Sequence, residues 1–390
     1  MNKANMFWQT YLNLENEFLD LSKYIYITDT TTKIGTHTKV IRNVECKHQL
    51  ETYSSYIADL LVRCCVEIEA ISKELYFDNG GIKPRGSIDL YFDTDCIAFL
   101  NDKWNIADKV VMVVASNFNL SKEENQILTP LKKADERSKT IWAKSYQAVK
   151  HDRYNSLYLG NIKALLNAMA ALYLFNIYFR DIKLSSKYVD IHNLDMSFGS
   201  KIFSLKAPNQ NALVDIMNGI KSDDILKSGE SPYIAKYTDS YYKQVLSARQ
   251  KYLDDLNNYW RNQPELKEAA FILQLAKAKE IEDKDPAQRV IPLWELCKYR
   301  INKKAPAYLP FEERKKAFVQ SPEWNGEIRM LNKHLSESEL TPENIQGEID
   351  HAGVQFAMDI DKSFSSQFMY KVFTEGYCEI VLDKGNVKYL

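Results

Sequence analysis

Trp142-Ala143-Lys144-Ser145-Tyr146-Gln147-Ala148-Val149-Lys150-His151-Asp152-Arg153 runs directly into Leu159–Phe179, the most apolar stretch of the chain. There Ile162, Leu165, Leu166, Met169, Leu172, Tyr173, Phe175, Ile177 and Phe179 leave almost no polar face. A helix that is apolar nearly all round must be covered on every side, so it belongs in the middle of a bundle. The stretch before it is two-faced. Trp142, Tyr146, Val149 and Arg153 share one helical face, and Lys144, Gln147, Ala148 and His151 share another. Together the two patterns give the fold class: mainly α, with a helical bundle in the first part of the chain.

Outward toward the N-terminus, residues 5–28 read as a short helix, followed by Leu21–Ile27, which alternates like an edge strand. The polar tract Thr28–Thr38 reads as a loop. A long helix is expected from Asn43, with Tyr53, Ile57, Leu60, Leu61, Cys64, Ile68, Ile71 and Leu75 at steps of three and four. Asn79-Gly80-Gly81 is its stop signal. Glu67 falls within that apolar stripe, so it is expected to be partly buried and to need a partner. Arg63 with Glu67, and Glu69 with Lys73, have the i,i+4 spacing of helix-surface pairs, worth about 0.2–0.5 kcal/mol each. Residues 82–130 form a less regular insertion, in which Ser87–Phe92 and Lys109–Ala115 pattern as a small hairpin. Pro130 closes it, and a helix is expected from Ala134 to Tyr154.

Toward the C-terminus, residues 181–240 read as a polar connector with short helices, carrying Pro208, Gly219, Gly229 and Pro232. A second, mostly helical domain is expected over 241–390. Tyr241–Trp260 is one helix, and Pro264 stands in the first turn of another that runs to about Glu282. Five prolines from Pro286 to Pro322 cut the next part into short pieces. Thr341-Pro342-Glu343 opens a late helix. The tail Tyr377–Leu390 alternates around Asp383-Lys384-Gly385-Asn386 and reads as a terminal hairpin. Asp350-His351 and Asp359 with Asp361 read as a solvated face of the late helix. Lys303-Lys304 and Arg314-Lys315-Lys316, near Tyr308, Phe311 and Phe318, form a basic stretch that serves either as a solvated face or as a contact for RNA or a partner.

The 390 residues are enough for two or three domains with a substantial core. Lys+Arg number 51 against 52 Asp+Glu, so the net charge of -1 gives no overall pull toward nucleic acid or anionic membrane. Any polyanion site has to be a local patch. The 24 Tyr and 17 Phe against 13 Gly fit long helices packed on aromatic rings. None of the six cysteines stands in a CxxC, and no His lies at ligand spacing from one, so neither a metal nor another cofactor is expected. Free thiols fit a reducing cytoplasm. Residues 1–21 lack a signal-peptide core, and Ala164–Phe179 is interrupted by Asn167 and Asn176 and shorter than a bilayer span. A cytoplasmic protein without a membrane role is expected.

The chemistry of the opening stretch centres on His151. A neutral imidazole takes up a proton near pH 7, and fixed cations stabilise charge on a phosphate oxygen. Lys144 stands two turns before His151, about 10 Å along the axis, so a long lysine side chain reaches the same phosphate. Arg153 is about 200° round from His151 on a regular helix and cannot share its face. The plainer reading is structural. His151 caps or packs, and Lys150 or Arg153 pairs with Glu67 to clasp two core helices.

Val66-Glu67-Ile68-Glu69-Ala70-Ile71-Ser72-Lys73 on one long helix, with Trp142, Tyr146 and Val149-Lys150-His151-Asp152-Arg153 ahead of an Ala/Leu-rich helix, resembles a group of bacterial HEPN-like proteins. The resemblance spans about residues 5–180. It implies a first domain over 1–180, an all-helical bundle that dimerises and places a polar cleft between copies. Active members are metal-independent endoribonucleases, often in antiphage (antiviral) defence or toxin–antitoxin systems. Their usual motif is an Arg, then four to six intervening residues, then a His. With His151 as the His, the Arg position falls on Lys144, Ser145 or Tyr146, none of them Arg. Lys144 alone keeps a cation there, without the bidentate fork of a guanidinium. The group resembled instead shows the Lys-His-Asp-Arg run, here Lys150 to Arg153.

The resulting expectation is an RNA-binding or RNA-cleaving protein. His151, Lys144, Lys150 and Arg153 are its candidate catalytic residues, with Glu67, Glu69, Lys73 and Tyr146 in support. The competing expectation is a non-catalytic scaffold that dimerises through its first 180 residues and docks a protein partner through its C-terminal half.

Overall fold

The computed structural model describes residues 2–29, 32–36, 39–44, 49–84, 89–133, 140–214, 224–268, 271, 291–324 and 335–389. The chain is mainly α with small antiparallel sheets, as its composition implies. It divides into two compact units, Met1–Thr238 with Tyr377–Leu390, and Asp239–Gly376.

In the first unit, α1 (Lys3–Leu21) opens on Asn2, whose side chain accepts from the Ala4 amide at 3.1 Å. A hairpin follows, β1 (Thr32–Thr36) and β2 (Lys39–Val44). The expected edge strand at Leu21–Ile27 is instead the end of α1 and a turn. The helix expected from Asn43 starts at α2 (Ser55–Asp78), because Thr, Val and Ile dominate 32–44 and favour strand, and Ser54 supplies the cap. Ser54 accepts from the Ile57 amide at 3.1 Å, and Asn79-Gly80, with Gly80 at φ 91°, ends the helix as read. Then come α3 (Ile97–Trp104), β3 (Val111–Val113), α4 (Glu123–Gln126) and β4 (Ile127–Leu128). The chain continues through α5 (Ile141–His151), α6 (Arg153–Ser156) and α7 (Ile162–Arg180).

Helix α7 is the core: α2, α1 and α5 pack against it, and it is buried from Ile162 to Tyr178 apart from the half-buried Lys163. Each enclosed Leu, Ile or Phe contributes about 1.5–3 kcal/mol. Asn167 and Asn176, the two polar breaks in the apolar run, donate to the carbonyls of Lys163 and Leu172 one turn back, both at 2.9 Å. That local bond satisfies the amide nitrogen of each, while Asn176 Oδ1 stays buried without a hydrogen-bond partner among the described residues. Among the described residues α7 is the one helix long and apolar enough to cross a membrane, and it is a core helix.

After α7 the unit becomes partly β. It contains β5 (Leu184–Lys187), β6 (Phe203–Leu205), α8 (Asn211–Val214) and β7 (Tyr233–Tyr237), and β8 (Tyr377–Leu382) closes it. Strand β3 lies between β4 and β6, not in a hairpin with 87–92, of which residues 87 and 88 lie outside the described residues. Strand β8 is the central strand between β5 and β7, with Ile380 opposite both Leu184 and Ala235. Among the described residues the expected terminal hairpin therefore does not form. The reading of 181–240 as a connector gives way to strands built into the first unit, since alternation this short is masked by neighbouring turn residues. Lys109, 1% exposed, fixes the end of β8: its ammonium donates to Ser228 Oγ and to the Gly229 carbonyl at 2.8 Å and lies 3.8 Å from Asp383.

The second unit is chain inserted between β7 and β8. It contains α9 (Asp239–Arg261), α10 (Ile291–Lys304), α11 (Phe311–Val319) and α12 (Ile345–Tyr370). Only a 3-10 turn, Pro264–Lys267, is seen of the helix expected from Pro264; most of the rest lies outside the described residues. Helix α12 packs against α10 and α9. Gly353 permits the α10 crossing, since a Cβ there would stand 2.9 Å from the Lys298 backbone nitrogen. Ile301, Ala305, Phe318, Leu340, Ile345 and Ile349 form a core. The basic stretch is split by this packing: Arg314 is buried and donates to the Ala305 carbonyl at 3.0 Å. Asp361 accepts from the Tyr252 hydroxyl, so it too is not merely solvated.

Candidate functional site

Helix α5 owes its place to its apolar face. Thr140 caps it, accepting from the Ala143 amide at 3.4 Å, and Trp142, Ala143, Tyr146 and Val149 are buried. The Trp142 indole donates to the Pro130 carbonyl at 2.8 Å and stacks on Phe92, with centroids 6.4 Å apart. The register of α5 is thereby fixed, and Lys144, Lys150 and His151 are exposed. The portion of the expected helix over 134–139 lies outside the described residues.

His151 is the last residue of α5. Its Nε2 lies 3.1 Å from Gln147 Oε1, one turn back. With that oxygen accepting, Nε2 carries the hydrogen and Nδ1 is the free proton acceptor. The helix then breaks at Asp152, whose φ of -145° and ψ of 70° are not helical. Asp152 caps α6: its carboxylate accepts from the Asn155 amide at 3.2 Å and from the Asn155 side chain at 2.9 and 3.1 Å. This carboxylate is thus occupied locally. Arg153 starts a new helix, so the 200° separation from His151 that a continuous helix imposes does not hold here. Among the described residues Lys144 and Arg153 make no ion pair, and the Lys150 ammonium lies 5.3 Å over the buried Tyr146 ring.

Tyr154 follows Arg153 directly in the chain. Tyr154 is 95% exposed, and Tyr158, Tyr53 and Tyr56 are exposed as well. A bridge between Tyr53 and Asn161, with the Ile162 amide donating to the Thr52 carbonyl at 3.0 Å, joins the segment before α2 to the start of α7. Gly160 allows that approach, since a Cβ there would stand 2.8 Å from the Ala58 Cβ. Tyr53, read from the sequence as part of the core stripe, lies before the α2 cap and outside the core. Sequence reasoning also missed Tyr154 as an exposed ring. Asp152-Arg153-Tyr154-Asn155, an N-cap followed three residues later by its partner, is the signal that marks it.

The expected clasp from Glu67 to Lys150 or Arg153 does not form. Glu67 is half-buried, and among the described residues it has no hydrogen bond or ion pair. It shares a stripe of α2 with Arg63 and Glu74, four residues before and seven after. Both of those pair with α1: Arg63 with Glu17, and Lys3 with Glu74 at 2.6 Å. Glu67 therefore stands on the α1 seam rather than the α5 side, and burial raises its carboxyl above the ordinary value. The expected Arg63–Glu67 pair is replaced by Arg63 with Glu17 and with Asp59, the latter at 3.1 Å. Glu69 and Lys73 do pair, at 2.6 Å. Among the described residues no three His, Cys, Asp or Glu side chains gather as a metal site would.

Comparison of the chain with family models, curated proteins and solved structures gives no match.

Proposed function

We propose that the face formed by Lys144, Lys150, His151, Arg153 and Tyr154 binds RNA, and that His151 cleaves it. The observation that carries this reading is the break at Asp152. It leaves an exposed imidazole amid cations that, among the described residues, make no ion pair, three residues before an almost fully exposed tyrosine. Cations hold the phosphates and tyrosine rings stack unpaired bases, the combination by which proteins hold single-stranded RNA. His151 Nδ1 takes the proton of a ribose 2′-OH, whose oxygen attacks the adjacent phosphorus. Lys144 and Arg153 stabilise the negative phosphorane, and the 5′-oxygen leaves with a proton from water. The products are a 2′,3′-cyclic phosphate and a 5′-OH end, with no redox partner or metal in the balance. The HEPN-like resemblance supports the same chemistry in a toxin–antitoxin or antiphage setting.

The scaffold reading has one observation in its favour: the position of the usual Arg is held by Lys144. Incubating the pure full chain with RNA in EDTA separates the two. The ribonuclease reading requires cleavage that His151→Ala removes, whereas a scaffold leaves the RNA intact in both samples.

A further inference from the structure

The second unit carries a cavity of about 670 Å3 where α9 packs on α12, within the range of small-molecule sites. The two walls are held together by Tyr252, whose hydroxyl donates to Asp361 and whose ring stacks on Phe368 with centroids 5.9 Å apart. Helix α9 lines the cavity with Lys251 and Asp255. Helix α12 adds Phe364 and Phe368, and the π-helical turn that ends it, Lys371–Glu375, adds both of its end residues. Single π-turns are rare and recur at functional sites. Phe364, Phe368 and Lys371 follow at steps of four and three, so the rings and the ammonium share one helical face.

All four charged groups are unmatched. Among the described residues Lys251, Asp255, Lys371 and Glu375 make no ion pair, and their side chains make no hydrogen bond. Lys251 with Asp255 and Lys371 with Glu375 are each four residues apart, yet neither couple pairs. In both the lysine precedes the acid, the order in which a helical pair is weaker. Lys371 is half-buried, so its ammonium has lost water without gaining an anion. Two free ammoniums and two free carboxylates leave the cavity neutral overall. A ligand of one sign is attracted by one couple member and repelled by the other, whereas a ligand with one charge of each sign satisfies both. We propose that this cavity binds an α-amino acid with an aromatic side chain. Its carboxylate meets Lys371, its ammonium meets Glu375, and its ring packs against the rings that share the face of Lys371. This site goes beyond the RNA reading and rests on none of its residues.

Equilibrium dialysis of the full chain against phenylalanine, glycine, phenethylamine and 3-phenylpropionate tests the proposal. Phenylalanine binds at least about tenfold tighter than the other three, which lack in turn the ring, the carboxylate and the ammonium. Lys371→Met weakens phenylalanine by a similar factor and leaves phenethylamine unchanged. Glu375→Gln weakens phenylalanine and leaves 3-phenylpropionate unchanged. Neither side chain holds a bond within the fold, so both variants keep the parent's circular dichroism. Absence of phenylalanine binding at millimolar concentration overturns the proposal. So does phenethylamine or 3-phenylpropionate binding as tightly as phenylalanine, or a phenylalanine affinity that ignores Lys371→Met. Should a variant lose the parent's circular dichroism, the ranking of the four ligands decides.

Discussion

Replacing Glu15 with alanine strikes the first unit where α1 meets the segment after α7. The Glu15 carboxylate is 1% exposed and accepts from the Tyr11 hydroxyl at 2.7 Å, from Ser200 Oγ, and from the amides of Lys201 and Ile202 at 3.2 Å. In Glu15→Ala one of the two hydroxyl donors recovers a partner, because Tyr11 Oη and Ser200 Oγ already lie 2.9 Å apart and one can donate to the other; the second hydroxyl is left without an acceptor. The Ile202 amide keeps Ser200 Oγ at 3.3 Å, a poorer bond. The Lys201 amide is left without an acceptor. Two orphaned donors and one weakened bond, each formerly made to a charged group, cost at least about 1 kcal/mol apiece, and the lost methylene about 1 kcal/mol more. The expected loss is about 4 kcal/mol, among the largest single-residue effects. For a unit of this size it lowers the melting temperature by roughly 8–16 °C, read by circular dichroism. Ser200→Ala leaves the Lys201 and Ile202 amides on Glu15 but takes the 2.9 Å acceptor from the Phe203 amide, and costs about 1–3 kcal/mol. A drop below about 3 °C in Glu15→Ala would mean the carboxylate is not what joins these segments.

Lys109→Met keeps the buried stem but leaves Asp383 without its cation, so the first unit loses about 3 kcal/mol in chemical denaturation; an unchanged midpoint refutes that role. Glu67 has a raised folded-state value. Its contribution is therefore present below the unfolded carboxyl value near pH 4 and lost as pH rises through the folded one. Glu67→Gln accordingly raises the melting temperature at about pH 7 and leaves it unchanged near pH 4, and equal effects at both would contradict the seam position. Tyr154→Ala touches no core residue and weakens single-stranded RNA binding by about 1–3 kcal/mol in a filter assay. Unaltered affinity removes that ring from the interface.

The long-range helical pattern was legible because it is repeated. Ile57 to Leu75 and Ile162 to Phe179 carry enough periodic apolar positions that both helices sit within a few residues of their expected stops. Short elements were not legible, since β3, β4 and β6 hold only two or three residues each and their pairing is set by distant partners. The placement of Tyr377–Leu382 as a central strand between β5 and β7 is a wholly non-local fact. At the candidate site, the exposed cationic face followed from helix spacing. The break at Asp152 was written in its capping sequence, but the apolar periodicity carried across it. Glu67 was correctly expected to be partly buried. Its partner was misassigned, because a stripe position on α2 does not say which neighbouring helix it meets.

The central claim is chemical, and one measurement addresses it most directly. Purified full-length protein is incubated with RNA in EDTA and the products are resolved by length and end group, alongside His151→Ala, Lys144→Ala and Arg153→Ala. The account predicts 2′,3′-cyclic phosphate ends from the parent and none from His151→Ala. The two cation variants are slowed roughly 100-fold, as the loss of one charge-stabilising donor commonly does. An unchanged circular dichroism spectrum together with full activity in His151→Ala would contradict it.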